Sequence, residues 1–196
     1  MKSCHRPNVG RLLAAGVALT AALTPAAAHA IPLIGIGASA AGYVGAGNRG
    51  VTVGADGNAE VFGIDAAGSI LTLPGQTGSL VELGLRKELS FIPMLSVKPT
   101  LAYQGQSLFQ ADNSFQHGLQ GRLDVAFSPI LSPIWFEGNY GYSYYPLANN
   151  TVINSYALGG YFAFLPLASV GLRYRSFNPL SGAGLNTVEL GLRVTI

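Results

Sequence analysis

Val188-Glu-Leu-Gly-Leu-Arg-Val-Thr-Ile196 alternates apolar and polar side chains without a break to its last residue. Successive residues of an extended strand point to opposite sides. Val188, Leu190, Leu192, Val194 and Ile196 therefore share one face, and Glu189, Gly191, Arg193 and Thr195 the other. At the free edge of a soluble sheet such a strand templates aggregation. It makes sense where the strand closes a barrel and its apolar face meets lipid.

Working back from this stretch, the same unit repeats. Strands are predicted at Ser79–Leu89, Met94–Gln104, Leu119–Ser128, Ile134–Tyr145, Ser155–Leu165, Ala168–Phe177 and Thr187–Ile196. Each is about the length that a tilted strand needs to cross a bilayer, roughly 9–11 residues. The connections alternate in kind. Ser90–Pro93, Pro129–Pro133 and Leu165–Leu167 are short and carry proline, whereas Gly105–Phe115, Pro146–Asn154 and Asn178–Asn186 are longer and rich in Asn, Gly and Ser. That asymmetry matches the periplasmic and extracellular ends of an outer-membrane barrel. Residues 31–78 have room for three more strands, Leu33–Tyr43, Gly50–Ala55 and Glu60–Leu73, with Asp56-Gly57-Asn58 as a hairpin turn. The expected fold is an all-β, antiparallel transmembrane barrel of ten strands. Eight is the count if the Gly/Ala-rich Ala38–Gly57 stretch is loop.

Residues 1–30 read as a cleaved secretory signal peptide. Lys2, Arg6 and Arg11 precede an apolar stretch from Leu12 to Leu23, and Ala28-His29-Ala30 is a small-x-small cleavage site. The mature chain, residues 31–196, is expected to be one barrel domain in the bacterial outer membrane. Removing the peptide takes away the only cysteine, Cys4, and three of the eleven basic residues. The formal charge of +2 then becomes about −1, which gives no electrostatic reason to expect nucleic acid.

Charge sorts by face. With Leu, Val, Phe and Tyr taken as the outer side, the inner side holds Glu82, Arg86, Glu88, Lys98, Arg122, Asp124, Glu137, Arg173, Arg175, Glu189 and Arg193. Only Lys87 falls outside, beside a short turn where its stem can snorkel. A charge facing mid-bilayer costs about 2–4 kcal/mol, so this sorting is what lipid would enforce. The alternation period would be the same in a soluble periplasmic barrel with the apolar face turned inward, which is the alternative architecture. Aromatics sort by height as well. Phe91, Phe127, Trp135, Phe136 and Phe164 lie near the short turns, and Tyr103, Tyr142, Tyr144, Tyr156 and Tyr174 toward the long loops. Pro99 interrupts a strand and cannot donate to the ladder, so a bulge is expected there.

Catalytic chemistry finds little support. The mature chain has one histidine, His117, near Asp112 and Ser114, and reads as a rim residue. Leu119 stands where a His-x-Ser pair would need its serine. No metal-ligand spacing is visible, and Gly35-Ile-Gly37 and Gly45-Ala-Gly47 have no following helix to make a phosphate cradle. No cofactor and no catalysis are expected. In a barrel of eight to ten strands the lumen is narrow, so the inner charges are expected to pair and fill it, giving a structural or surface-interaction role. A narrow channel for ions or small solutes is one alternative, and a soluble periplasmic β-barrel binding protein is the other.

Two resemblances bear on this reading. Glu189, Gly191, Val194 and Ile196 are similar to the C-terminal assembly signal of outer-membrane barrels, with Ile196 where Phe or Trp is usual. The partners implied are the barrel-assembly machinery and outer-membrane lipid. Gly138-Asn-Tyr-Gly-Tyr-Ser-Tyr-Tyr-Pro146 and Gly171-Leu-Arg-Tyr-Arg175 resemble the YfaZ-type family of small outer-membrane proteins, with Leu172 in place of the tyrosine usual there. A weaker similarity covers Leu83–Gly105, including Lys98. The family implies a Gram-negative outer-membrane barrel and brings no catalytic residues.

Overall fold

One antiparallel sheet closes on itself around a lumen. The computed structural model describes residues 36–108, 114–129, 131–148, 151–180 and 182–196. The expected signal peptide and Asp112 lie outside those residues. In chain order the strands are β1 (Ile36–Gly47), β2 (Gly50–Val61), β3 (Ile64–Leu73), β4 (Gln76–Arg86), β5 (Leu89–Ile92), β6 (Leu95–Gln106), β7 (Gln116–Phe127), β8 (Ile134–Tyr145), β9 (Thr151–Leu165), β10 (Ala168–Pro179) and β11 (Leu185–Thr195). Each pairs with its neighbour, and β1 pairs with β11 from Ser39↔Thr195 to Gly47↔Thr187, which closes the ring. Because β4 and β5 both pair with β6, they form one interrupted stave, and the barrel has ten. No helix among the described residues is long and apolar enough to cross a membrane.

The two rims differ. Ala38 and Ile196 exchange backbone hydrogen bonds of 3.0 and 2.8 Å, so both ends of the barrel meet at the rim that carries the Phe62-Gly63, Pro93-Met94 and Pro166-Leu167 turns. The other rim carries the Asn48-Arg49 and Pro74-Gly75 turns and the three long connections. We call these the short-turn and long-loop rims.

Two local expectations are corrected. Asp56-Gly57-Asn58 is not a turn. It lies within β2, with Gly57 opposite Ala40 on one side and Gly68 on the other. Its polar residues imitate a hairpin signal, but they alternate inward: Asp56 pairs with arginines, and the Ser39 hydroxyl donates to Asn58 Oδ1. The turns fall on either side, at Asn48-Arg49 and Phe62-Gly63. Nor does Pro99 make a bulge. Its carbonyl accepts from Lys87 N–H at 3.1 Å. In an antiparallel ladder a residue's N–H and C=O face the same neighbour, so the missing Pro99 donor faces Lys87 as well. The β4/β5 stave breaks at that point, yet the register on both sides stays in step, from Arg86↔Thr100 to Leu89↔Val97. One ladder bond is lost and no residue is inserted. The register shifts lie elsewhere, at Ser90/Ile92 and Ala168/Ser169, toward the short-turn rim.

The outer wall is apolar and exposed, with Leu101, Leu158, Leu172, Leu190 and Leu192 all more than half accessible. The buried apolar cluster lies inside the barrel. Tyr43, Leu71, Leu73, Leu108 and Leu185 pack together, with Leu80 and Phe177 against them, toward the long-loop rim. Burying each such side chain is worth roughly 1.5–3 kcal/mol. Leu108, just past β6, enters this cluster because Gly78 has no side chain. A Cβ there would lie 2.7 Å from Leu108 Cδ2.

Candidate functional site

The polar side of every stave faces the lumen. The register places Glu82, Arg86, Lys98, Arg122, Asp124, Glu137, Arg173, Arg175, Glu189 and Arg193 inward, together with Glu88 near the rim, and brings them into two clusters and two separate pairs. Three further carboxylates join them, Asp56 and Glu60 from β2 and Asp65 from β3. The assumed turn hid Asp56 and broke the alternation across β2 and β3. Read at period two, Thr52, Asp56, Asn58 and Glu60 would have marked the inner face.

The first cluster centres on Arg86 and Arg122. Arg86 reaches Glu60 at 3.3 Å, Asp65 at 3.0 Å and Asp124 at 3.2 Å. Arg122 reaches Asp65 at 2.9 Å and Asp124 at 3.0 Å, and also pairs with Glu82. Gln104 Nε2 donates to Glu82 at 2.7 Å, and the Tyr145 hydroxyl donates to Gln104 Oε1. The contact from Arg122 on β7 to Asp65 on β3 spans two staves, β4 and β6, along the inner wall.

The second cluster centres on Arg173 and Arg175. Arg173 contacts Asp56 at 2.7 Å and Glu189 at 2.6 Å; Arg175 contacts the same two at 2.5 and 3.4 Å. Both guanidinium groups lie over the Tyr43 ring, 4.8 and 4.7 Å from its centre. The ring fits because Gly54 and Gly191 face it. A Cβ on Gly191 would lie 3.2 Å from Tyr43 Cβ. Such aromatic cover of a glycine also steadies a curved wall.

The separate pairs lie nearer the short-turn rim. Arg193 meets Glu137 at 2.6 Å and lies over Tyr161, which stacks on Trp135 at 5.4 Å. Trp135 Nε1 donates to Glu137 at 3.0 Å. Trp135 thus points inward rather than joining the outer girdle. Lys98 meets Glu88 at 3.1 Å.

The lumen is not filled as expected. A cavity of about 530 Å³ runs from Gly37, Ser96 and Thr195 at the short-turn rim up to Tyr43, Leu80 and Phe177. Beyond it lies the apolar cluster, where a gap of about 10 Å³ sits beside Gln106, Leu108 and Tyr145. The narrow bore does force the charges to pair, but pairing draws them onto the wall and leaves the axis of the short-turn half open. We call this space the chamber and the apolar cluster the seal.

His117 is exposed on the outer face, with its Nδ1 against the Tyr103 hydroxyl and its ring near Phe115. It lies outside the lumen. Among the described residues no group of His, Cys, Asp and Glu is arranged to hold a metal ion. Glu189 and Gly191 face inward, and Val194 pairs with Ala40 on the closing seam.

No protein-family model matches the chain, and no curated protein matches it. Solved structures do resemble it. An outer-membrane channel from Pseudomonas putida F1 aligns over 89% of this chain and 100% of its own, with 7% identity and a TM-score of 0.49. The anion-selective porin from Comamonas acidovorans covers 75% of this chain, with 11% identity and a TM-score of 0.45, and this chain spans about half (49%) of that porin's length. The KdgM porin, solved in complex with disordered oligogalacturonate, aligns over 81% of this chain and 98% of its own, with 8% identity and a TM-score of 0.42.

Proposed function

We propose that this chain is a small outer-membrane barrel acting as a narrow channel for ions or small solutes, closed at its long-loop end in the state described. The chamber carries this reading. A barrel serving only as a membrane-embedded scaffold would pack its interior from rim to rim, whereas here a 530 Å³ space with charged side chains along its wall leads inward and ends on apolar side chains. The exposed leucine wall supports lipid on the outside, and the pairing of β11 with β1 suits a C-terminal strand recognised by assembly machinery. The resemblance to YfaZ-type proteins points to the same membrane.

Planar-bilayer recording tests the proposal. The wild type is expected to give brief, small currents, because Leu71, Leu73, Leu108 and Leu185 block the long-loop end. Leu71→Ser with Leu185→Ser is expected to raise both open time and step size. Steady porin-sized steps from the wild type would overturn the closed state. Silence from both proteins, with the barrel folded, would favour a structural role, the reading that the paired lattice of lumen charges also supports.

A further inference from the structure

We infer that the chamber admits small cations and turns anions away. This deepens the channel reading by naming a solute class, and it rests on the chamber being open to water.

The argument begins with charge count. Among the described residues eight carboxylates face the lumen, Asp56, Glu60, Asp65, Glu82, Glu88, Asp124, Glu137 and Glu189, against Lys98 and five arginines. The excess belongs to one cluster, where Arg86 and Arg122 are shared among Glu60, Asp65, Glu82 and Asp124. Asp65 is buried there, and its Oδ1 receives no hydrogen bond although Arg86 Nη1 lies 3.0 Å away. Two guanidinium groups do not satisfy this set of oxygens.

Depth gives the second argument. In the cation-bearing pairs, the basic group lies deeper than the carboxylate on its water side. Asp124 is 25% exposed against 9% and 13% for Arg86 and Arg122. Glu137 is 33% exposed against 21% for Arg193, and Asp56 is 24% exposed against 8% for Arg175. Lys98 is likewise less exposed than Glu88. The remaining carboxylates, Asp65, Glu82 and Glu189, are nearly or fully buried behind the arginines. Arg86, Arg122, Arg173 and Arg175 are thus each held between a deep carboxylate and a shallow one, Arg193 lies behind Glu137 alone, and a solute in the chamber meets carboxylate oxygen first. An excess of one sign of charge along a low-dielectric wall focuses the field and concentrates counter-ions. The screening length is about 10 Å at 0.1 M salt, and charges on a partly buried wall are screened less than exposed ones, so bulk salt does not erase the effect.

The chain carries one tryptophan, Trp135, which lines the chamber. Its fluorescence reports which solutes enter. The full chain, folded in non-ionic detergent, is titrated with acrylamide, caesium chloride and potassium iodide, each scaled to its quenching of free N-acetyltryptophanamide. Acrylamide is expected to quench, and scaled quenching by caesium to exceed that by iodide about threefold or more, the direction set by a focused negative potential. Glu60→Gln with Asp124→Asn should bring that ratio close to one. Lys98→Gln, at a partly exposed position less prone to unfold the barrel, should raise it. Scaled iodide quenching equal to or above that of caesium, with acrylamide still effective, would overturn the cation inference and leave the chamber standing. Failure of acrylamide to quench would instead overturn the open chamber on which the channel reading rests.

Discussion

The two halves of this barrel share one set of strands but are built on different physics. Toward the long-loop rim the ladders run in register and the interior packs Tyr43, Leu71, Leu73, Leu108 and Leu185 beside buried polar side chains such as Thr52, Gln106 and Ser143. Toward the short-turn rim the wall is irregular. The stave breaks at Lys87-Glu88, registers shift at Ser90/Ile92 and Ala168/Ser169, and Phe62 and Leu131 have φ of 50° and 61°. Bulky residues seldom adopt that left-handed backbone. The irregular half also holds the mouth of the chamber and the Arg193–Glu137 and Lys98–Glu88 pairs, while the two larger ion clusters sit at mid-height between the halves. Leucine packing seals a bore by excluding water, whereas ion pairs between staves that are not neighbours tie the wall around its curve and leave the axis beside them open.

The largest expected effect comes from cutting one of those ties. Arg122→Ala leaves Asp65 and Glu82 buried with fewer partners, and removing one member of a buried pair costs about 3–5 kcal/mol. The folded, heat-modifiable band should weaken on a gel, and the urea midpoint in detergent should fall sharply. A midpoint within error of wild type would show that the ties do not brace the wall.

Leu71→Ala tests the long-loop half. Truncating a buried leucine costs about 2–5 kcal/mol, and here it should also thin the seal, so current should rise while the barrel still folds. Lost stability without added current would place the barrier to solutes elsewhere in the lumen.

If the halves differ only inside, the outer wall should respond alike in both. Leu192→Arg lies in the short-turn half and Leu119→Arg in the long-loop half, and each puts a charge where leucine is exposed. Each should cost about 2–4 kcal/mol, less nearer an interface. Both should reduce the amount recovered in the outer membrane, and normal recovery of both would contradict a lipid-facing wall.

The sequence made the wall more legible than the lumen. Alternation depends on one residue and its neighbours, so Val188–Ile196 could be read without knowing what lay across the barrel. The count of ten is that of the closed ring, but the second and third strands run Gly50–Val61 and Ile64–Leu73 rather than Gly50–Ala55 and Glu60–Leu73. Most of the expected Ser90–Pro93 connection is strand β5. Asp56 and Asn58 show where local reading failed: their composition is that of a turn, and only the distant Arg173 and Arg175 explain why Asp56 lies mid-strand. The chamber was hidden for a related reason. Charge counting indicates that ions must pair, but whether pairs fill the axis or line the wall depends on which staves they join. Arg122 to Asp65 and Arg193 to Glu137 are contacts that no local pattern encodes.

The smallest expected effect tests why the short-turn half is irregular. Pro99 faces outward on β6, and its missing donor points at the break in the neighbouring stave. Pro99→Val would supply an N–H opposite Lys87 with the register already in step, and a β-branched residue suits a strand. A ladder bond adds about 0.5–1.5 kcal/mol, and part of this is offset by the greater freedom of the unfolded chain without proline. The net expectation is a small rise in the urea midpoint and slower amide exchange at Lys87 and Glu88. The chamber's ion pairs lie on the opposite face of that strand, so acrylamide quenching of Trp135 should be unchanged. A fall in stability would mean that the break relieves strain from the curvature of the wall, and that the irregular half is set by barrel geometry rather than by one proline.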